Sequence, residues 1–149
     1  EWLQREAIDT IIQGKDSTAI AVEEKIVRFP KDREEPYTSY TLETKSCTVP
    51  GHESDGWMVY CKADFLLYCF ANKQQDALDC HLIDFPALHA WFWRDQNHEQ
   101  FPLWVSRQFN RSECRVVPFE ALQGNVRVWR RVACVKSSHS QDNQKKRDV

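Results

Sequence analysis

The amino-acid sequence predicts a single α/β domain, and two kinds of periodicity support that prediction. Residues 18–29 and 37–49 alternate their side chains with the two-residue period of β-strands. Residues 86–96 instead begin with a proline and place Leu88 and Trp91 on one apolar face of a helix. Strands come first and mixed helices and strands follow, an order typical of α/β or α+β proteins. We therefore expect a mixed fold of the α/β or α+β class.

The first part of the chain is predicted to be mostly strand. A short β-branched strand at residues 8–13 ends at a turn signal, residues 14–16. Because its connection to strand 18–29 is short and polar, we expect these two strands to form a hairpin. A charged loop at residues 30–36 then leads to the third strand, residues 37–49.

The second part of the chain is less uniform. Residues 50–56 form a loop, and the apolar run 57–71 fits a strand or a helix, which periodicity alone does not separate. The remaining predicted elements are a strand at 78–85, the helix at 86–96, an extended piece at 116–118, a helical turn at 119–123 and a last strand between 126 and 135. We place one domain at residues 1–135 and a flexible polar, basic tail at residues 136–149.

Composition narrows the class of protein. The chain has 149 residues, of which 42% are hydrophobic, with only 4 Gly and 6 Pro, as in a folded globular domain. It has 6 cysteines, but no pair has CxxC spacing and no signal peptide opens the sequence. The longest apolar run, residues 65–71, is too short to span a bilayer. We expect a cytoplasmic protein with free thiols and no membrane partner.

Charge is distributed unevenly along the chain. The net charge is −2, yet residues 1–100 carry 10 Lys and Arg against 18 Asp and Glu, whereas residues 101–149 carry 10 against 4. A basic C-terminal third could contact phosphates while the acidic part holds metal ions. The alternative is that the basic residues of the tail are simply solvated.

A cluster of charges lies in the middle of strand 18–29. Burying a carboxylate costs several kcal/mol unless it is paired or bound to a metal. Because side chains alternate, Glu23 and Lys25 project from one face, about 7 Å apart, and Glu24 projects from the other. If the register of the hairpin permits, Asp9 on the neighbouring strand converges with Glu23. An ordinary cross-strand ion pair is the alternative interpretation.

Two carboxylates and one ammonium group form a site with a known kind of chemistry. Carboxylate oxygens bind hard divalent cations, and water and substrate phosphate fill the other coordination positions. The cation would polarise a phosphoryl group and help to generate hydroxide. The ammonium group of Lys25 would orient the attacking water or stabilise the pentacoordinate phosphate. Asp9, Glu23 and Lys25 are therefore our candidate catalytic residues, with Asp9 and Glu23 as metal ligands.

The spacing of these residues resembles the D…(D/E)xK signature of the PD-(D/E)XK, or restriction-endonuclease-like, nuclease superfamily. In this sequence Asp9 is followed after a gap by Glu23-Glu24-Lys25. Other segments resemble the small bacterial and phage members of that superfamily, in the same order: residues 8–12 (IDTII), 22–28 (VEEKIVR), 41–43 (TLE), 56–57 (GW), 62–68 (KADFLLY) and 82–85 (LIDF). The resemblance covers roughly residues 6–95.

This resemblance implies a Mg²⁺-dependent nuclease, with Mn²⁺ as a substitute, that hydrolyses phosphodiester bonds in DNA rather than RNA. It implies an α/β fold of the restriction-endonuclease-like kind, with a central mixed β-sheet flanked by helices, and adds the backbone carbonyl of Glu24 to the metal ligands. It leaves endonuclease or exonuclease action and a homodimer open. The alternative function is a catalytically idle module on the same fold that binds nucleic acid or protein.

Further residues are candidates for supporting roles. Glu43 is either an accessory ligand from a neighbouring strand or a solvent-facing strand residue. Lys62 either positions substrate or maintains the fold. Arg127, Arg130 and Arg131 surround a tryptophan, a mixture of basic and aromatic groups common on phosphate-binding surfaces, so we predict that they bind nucleic acid.

Overall fold

The computed structural model describes residues 9–16, 18–30, 34–74 and 76–134. The predicted flexible tail, residues 136–149, lies outside the described residues, as do residue 8 of the first predicted strand and residues 31–33 of the predicted charged loop. Within the described part, the chain is a mixed α/β protein with two β-sheets and few helices.

The described chain contains nine strands and two short α-helices. The strands are β1 (Thr10–Gln13), β2 (Ala19–Val27), β3 (Ser39–Cys47), β4 (Ser54–Asp55), β5 (Phe65–Ala71), β6 (Ala77–Asp84), β7 (Leu103–Val105), β8 (Glu113–Pro118) and β9 (Val128–Cys134). The helices are α1 (Trp57–Tyr60) and α2 (Phe85–Trp93), with 3₁₀ segments at Arg94–Gln100 and Phe119–Leu122.

The first sheet has five strands in the order β1-β2-β5-β6-β9. It is mixed, because β2 and β5 run parallel while every other neighbouring pair is antiparallel. The predicted hairpin between β1 and β2 is present, with Thr10 opposite Val22 and Gln13 opposite Ala19. This hairpin register places Asp9 next to the middle of β2.

The third predicted strand does not join this sheet. β3 belongs to a second sheet of four strands in the order β4-β3-β8-β7. Its alternation is as expected, since Tyr40 and Leu42 are buried and Thr41 is exposed. The sequence pattern gave the faces of β3 correctly but not its partners, because partners are chosen by contacts with β8, more than 65 residues away along the chain. We expected helices alone to flank the first sheet, and the structure instead has a second β-sheet as well.

The ambiguous run 57–71 is both helix and strand. α1 ends at Tyr60, and Asp64 begins the turn into β5 by accepting a hydrogen bond from the backbone N–H of Ala21 at 2.8 Å. The backbone N–H of Asp64 donates in return to the carbonyl of Ala21 at 2.8 Å. These two bonds fix the first residue of β5 beside β2, which makes the parallel pairing possible.

Helix α2 begins as predicted and ends earlier than predicted. Its N-cap is Asp84, whose carboxylate accepts a hydrogen bond from the backbone N–H of Ala87 at 3.1 Å, and a proline follows in the first turn. The helix stops at Trp93 rather than at residue 96, because Asp95 and Gln96 have φ values of 48° and 59°. Left-handed residues of this kind end a right-handed helix.

The core lies between the two sheets and α2. Its fully buried side chains include Tyr40, Leu42, Leu66, Ile83, Phe85, Leu88 and Phe92. All six cysteines are free thiols that form no disulfide, and Cys61, Cys69 and Cys114 are buried. In the described part of the chain, no helix has the length and apolar character needed to cross a bilayer.

Candidate active site

The predicted site forms at the junction of β1 and β2. The backbone N–H of Asp9 donates to the carbonyl of Val22 at 3.0 Å, and the carboxylate of Asp9 accepts a hydrogen bond from the backbone N–H of Glu24 at 3.0 Å. Asp9 therefore extends the pairing of β1 with β2 by one residue, and its side chain adds one more hydrogen bond between the two strands. This contact holds the carboxylate of Asp9 beside the charged centre of β2.

The alternation of β2 separates its charges onto two faces. On one face, the Thr10 hydroxyl donates to the Glu24 carboxylate at 2.7 Å. Asp9 and Glu23, each one residue away, therefore project from the opposite face, and Lys25 projects with them. The backbone N–H and carbonyl of a strand residue point toward the same neighbouring strand, so the Glu24 carbonyl points to the edge where Asp9 lies.

Glu23 is the buried carboxylate of the site, with only 2% of its surface exposed. Its Oε1 atom forms an ion pair with Nζ of Lys25. Its Oε2 atom is buried and has no hydrogen-bond partner among the described residues. Burial raises the pKa of Glu23, and the Asp9 carboxylate raises it further, whereas Lys25 opposes the shift. Glu23 is thus a buried carboxylate with one oxygen still available to a cation.

Glu43 reaches the same site from the second sheet. Its carboxylate accepts a hydrogen bond from the backbone N–H of Trp57. Burial raises the pKa of Glu43, whereas the positive charge of Lys25 and the hydrogen bond from Trp57 lower it. Glu43 is therefore near Lys25 and is held by the start of α1.

Gly56 allows this approach of α1 to β3. A Cβ atom on Gly56 would lie 2.4 Å from the carbonyl oxygen of Glu43, which is closer than real contacts allow. The backbone N–H of Gly56 also donates to the carbonyl of Thr44 at 2.9 Å. With α1 docked in this way, the Trp57 ring lies below Lys25, whose Nζ is 5.1 Å from the ring centroid.

These groups line one open cavity of about 470 Å³. Its walls combine three carboxylates, one ammonium group and several hydroxyl and aromatic groups: Asp9, Glu23, Lys25, Ile26, Val27, Thr41, Glu43, Trp57, Tyr60, Tyr68 and Cys114. The Tyr68 hydroxyl is 2.9 Å from that of Thr41 and so links the two sheets. Burial and the charges of Glu43 and Glu23 raise the pKa of Tyr60, which keeps its phenol protonated as a donor. Burial likewise raises the pKa of Cys114 to about 12, so it is a neutral thiol.

The carboxylates are not placed as a ready-made cage for a metal ion. Among the described residues, no three His, Cys, Asp or Glu side chains are grouped closely enough to hold a metal ion. Asp9 and Glu23 line the same cavity, and the Asp9 carboxylate raises the pKa of Glu23. Any bound cation would therefore take its other ligands from backbone, water or substrate.

Known proteins give no match to compare with this site. No family model matches the chain, and neither a curated protein nor a solved structure is significantly similar to it.

The other predicted residues lie away from the cavity. Lys62 is exposed and is not among the lining residues, whereas its neighbour Asp64 fixes the start of β5. Arg127, Arg130 and Arg131 lie on or next to β9, which β5 and β6 separate from β2. Their role in binding nucleic acid stays a prediction.

The three arginines also differ in their surroundings. Arg130 donates to both carboxylate oxygens of Asp79, at 2.7 and 2.5 Å. Arg127 lies over the ring of Trp129, with 5.7 Å between its guanidinium carbon and the ring centroid. Arg131 projects from the opposite face of β9 from Arg130 and is exposed. Of the three, Arg130 is thus the one with a carboxylate partner among the described residues.

Sequence analysis missed the part of the site that α1 supplies. Trp57 and Tyr60 fall in the run that periodicity left undecided, and although residues 56–57 contribute to the family resemblance, no role in the site was predicted for either side chain. The available signal was Gly56: a glycine directly before a tryptophan indicates a close backbone approach, which here brings Trp57 under Lys25.

Proposed function

We propose that this protein is a divalent-metal-dependent nuclease that hydrolyses phosphodiester bonds, in DNA rather than RNA. The observation that carries the proposal is the state of Glu23: a buried carboxylate with one oxygen unpartnered, next to Asp9 and Lys25 in an open cavity. A buried oxygen without a partner costs about 1–3 kcal/mol, so such an arrangement suits a group that a cation completes.

The residues present fit Mg²⁺, with Mn²⁺ as a substitute. Mg²⁺ is usually held by one or two carboxylates, and it keeps several water molecules or substrate phosphate oxygens. Asp9 and Glu23 would supply the carboxylate oxygens and Glu24 its backbone carbonyl. The absence of a three-residue ligand cluster among the described residues is compatible with this ligand set. When bound, the cation would polarise the phosphoryl group and make coordinated water more acidic.

The side chains of this chain would do the remaining work. Lys25 carries its positive charge to the cavity over the Trp57 ring, where its Nζ can donate to an attacking water or to a phosphate oxygen. Tyr60 and Glu43 lie on the same wall, and Tyr60 can donate from its neutral phenol. Glu43 can accept a proton or orient water, as its raised pKa favours.

The restriction-endonuclease-like fold is part of this proposal. Its support is the mixed first sheet with Asp9 and the Glu23-Glu24-Lys25 segment on adjacent strands. The resemblance in sequence supports it as well. We also propose a cytoplasmic setting, which the six free cysteines support. The second sheet, in which Glu43 lies, is an addition to the helix-flanked arrangement that the resemblance implies.

A catalytically idle binding module is the alternative, and one observation favours it. Lys25 already neutralises one oxygen of Glu23, so the buried charge is partly compensated without a cation.

A cleavage assay separates the nuclease from the idle binding module. The purified protein is incubated with circular duplex, linear duplex and single-stranded DNA, each with Mg²⁺, Mn²⁺ or EDTA.

The proposal predicts metal-dependent cleavage that Glu23→Gln and Lys25→Ala abolish. Lys45→Ala serves as the control, because Lys45 is an exposed lysine paired with Asp55 at 2.5 Å. Cleavage of the circular substrate would establish endonuclease action. Binding without cleavage under all metal conditions would support the idle module. Cleavage that survives Lys25→Ala would show that the site lies elsewhere.

A further inference from the structure

We propose that the hairpin β7–β8 is the part of the nuclease that grips an unpaired nucleic-acid strand, with Trp104 as a stacking platform for a base beside the cavity. This inference rests on the proposed function and adds its substrate class, a single-stranded segment. It concerns residues 103–118, which sequence analysis did not connect with the site.

The register of the second sheet connects Trp104 to the cavity. Glu43 pairs with Cys114, and Cys114 pairs with Trp104 on the next strand. Side chains that pair directly across neighbouring strands project from the same face. Glu43 and Cys114 line the cavity, so Trp104 is the next side chain in that row, about 10 Å from Glu43 at the usual strand spacing.

Trp104 is exposed for a residue of its size, with 51% of its surface in contact with solvent. Its neighbours Leu103 and Val105 are also exposed, and Phe109 at the hairpin tip is 91% exposed. Alternation places Leu103 and Val105 on the face opposite to Trp104, so both faces of the hairpin expose apolar groups, and clusters of such groups mark interaction sites. Flat aromatic rings at the rim of a polar cavity suit bases, because every base has a face that can stack.

The charge of the hairpin selects a polyanion as the partner. The hairpin, residues 103–118, carries three arginines against one acidic residue, Glu113, in a protein whose net charge is −2, and its loop, residues 106–112, contains two of them, Arg107 and Arg111. Both arginines are exposed and lie on either side of Phe109. A basic and aromatic surface beside an acidic cavity suits a single nucleic-acid strand. The arginines would contact its phosphate backbone, and one of its phosphates would reach the metal ligands.

Hydrogen bonds to the end of β3 fix the tip of the hairpin between β7 and β8. The side-chain amide of Asn110 donates to the carbonyl of Ser46 at 2.9 Å, and the backbone N–H of Thr48 donates to the carbonyl of Asn110 at 3.0 Å. The Thr48 hydroxyl donates to the carbonyl of Arg111 at 2.8 Å. With its backbone anchored to β3 on this side, the tip presents Phe109 without the cost of ordering a loose loop on binding.

The test is a binding titration in EDTA, where no cleavage occurs. Fluorescence anisotropy of a labelled single-stranded oligonucleotide and of the matching duplex is measured with wild type, Trp104→Leu, Trp104→Phe and Ile12→Ala. Leu keeps apolar bulk but lacks a ring, and Phe keeps a ring. Ile12 is an apolar residue of similar exposure, 53%, on β1, where its side chain shares the face of Thr10 and points away from the cavity. Thermal unfolding verifies that each variant is folded.

We expect tighter binding of the single strand than of the duplex, with Trp104→Leu weakening single-strand binding roughly 5- to 150-fold, the range of one lost stacking contact. Trp104→Phe should retain most of the affinity, and Ile12→Ala should leave it unchanged. Arg107→Ala and Arg111→Ala should each lower the salt dependence by about 0.7 in the log–log slope. Equal affinity of wild type and Trp104→Leu would overturn the inference.

Two outcomes separate this inference from the proposed function. Metal-dependent cleavage with unchanged single-strand affinity in Trp104→Leu would retain the nuclease and reject the platform. Strand binding that depends on Trp104, in a protein that never cleaves, would retain the platform and reject hydrolysis. Self-association abolished by Trp104→Leu or Phe109→Ala, with no change in oligonucleotide affinity, would show that the hairpin joins two copies of the chain and would reject the platform.

Discussion

The carboxylate of Asp9 accepts a hydrogen bond from the backbone N–H of Glu24 at 3.0 Å, so one side chain both closes a hairpin and faces the cavity. The two roles have different chemical requirements. Closing the hairpin needs only an oxygen acceptor, whereas holding a cation needs negative charge. Substitutions at this position can therefore separate structure from metal binding.

Asp9→Asn should keep the hydrogen bond and lose the charge. We expect its free energy of unfolding in EDTA to stay close to that of wild type, while its Mn²⁺ affinity falls at least 10-fold. Asp9→Ala should lose both, with unfolding easier by about 1 kcal/mol, the net contribution of one hydrogen bond. Urea denaturation and calorimetric metal titration measure the two quantities. Equal metal affinity in wild type and Asp9→Asn would contradict the assignment of Asp9 as a ligand.

Lys25→Met should destabilise the protein at neutral pH. Removing the ammonium group leaves the Glu23 carboxylate buried without its partner, and breaking a buried pair in this way costs about 3–5 kcal/mol when burial is complete. Because Lys25 lowers the pKa of Glu23, its loss should raise that pKa further, and the difference from wild type should shrink as the pH falls and Glu23 becomes protonated. Denaturation in EDTA at several pH values measures this.

The matched control is Lys45→Met, which removes a lysine from an exposed pair with Asp55. Exposed pairs contribute about 0–1 kcal/mol, so we expect little change at any pH. A pH-independent difference between wild type and Lys25→Met would mean that Glu23 is not the group that Lys25 stabilises.

Gly56→Ala should disrupt the site although Gly56 itself does not line the cavity. The added Cβ would lie 2.4 Å from the Glu43 carbonyl, so α1 or β3 has to shift. We expect destabilisation of about 1–3 kcal/mol, as for overpacking elsewhere, and loss of the Trp57 contact with Lys25. Trp57 fluorescence, read in a variant whose other tryptophans are replaced, reports that loss. Gly51→Ala is the comparison, because nothing lies within 4 Å of its added Cβ; its φ of 81° makes that substitution a matter of backbone strain alone.

Arg130→Ala should reveal a pH-dependent contribution at the far edge of the first sheet. Burial alone would raise the pKa of Asp79, but the hydrogen bond from Arg130 and the charges of His81 and Arg130 hold it below its ordinary value of 3.8. The stabilisation is thus present above that value and is lost as the pH falls through the lower pKa of the folded state. We expect Arg130→Ala to lower the free energy of unfolding by about 0.5–1 kcal/mol at neutral pH.

The measurement is urea denaturation of wild type and Arg130→Ala from neutral pH to pH values below 3.8. The two curves should converge in acid. Arg131→Ala, which removes an exposed arginine from the opposite face of the same strand, should leave the profile unchanged. A difference that grows in acid would have the wrong sign for a depressed carboxyl pKa.

Local patterns predicted local features well. The alternation of β2 placed Glu23 and Lys25 on one face, and the short polar connection predicted the hairpin that brings Asp9 beside them. Both depend on residues fewer than 20 positions apart, where the two-residue period and turn chemistry determine the geometry.

Long-range choices were beyond the sequence pattern. Nothing in β3 itself indicates that Glu43 pairs with Cys114, or that a shift in register follows directly after it. The same holds for Asp79, which pairs with Arg130 51 positions further along the chain. Such partners are selected by the packing of whole sheets, so the second sheet and its contribution to the site became apparent only in the structure.

Anomalous diffraction of Mn²⁺ in crystals of the wild-type protein and of Glu23→Gln would locate the cation that we propose. We predict a peak within coordination distance of the Asp9 carboxylate and the unpartnered Oε2 atom of Glu23 in wild type, and no peak in the variant. A wild-type cavity that stays without a peak at saturating Mn²⁺, with Lys25 still paired to Glu23, would contradict it.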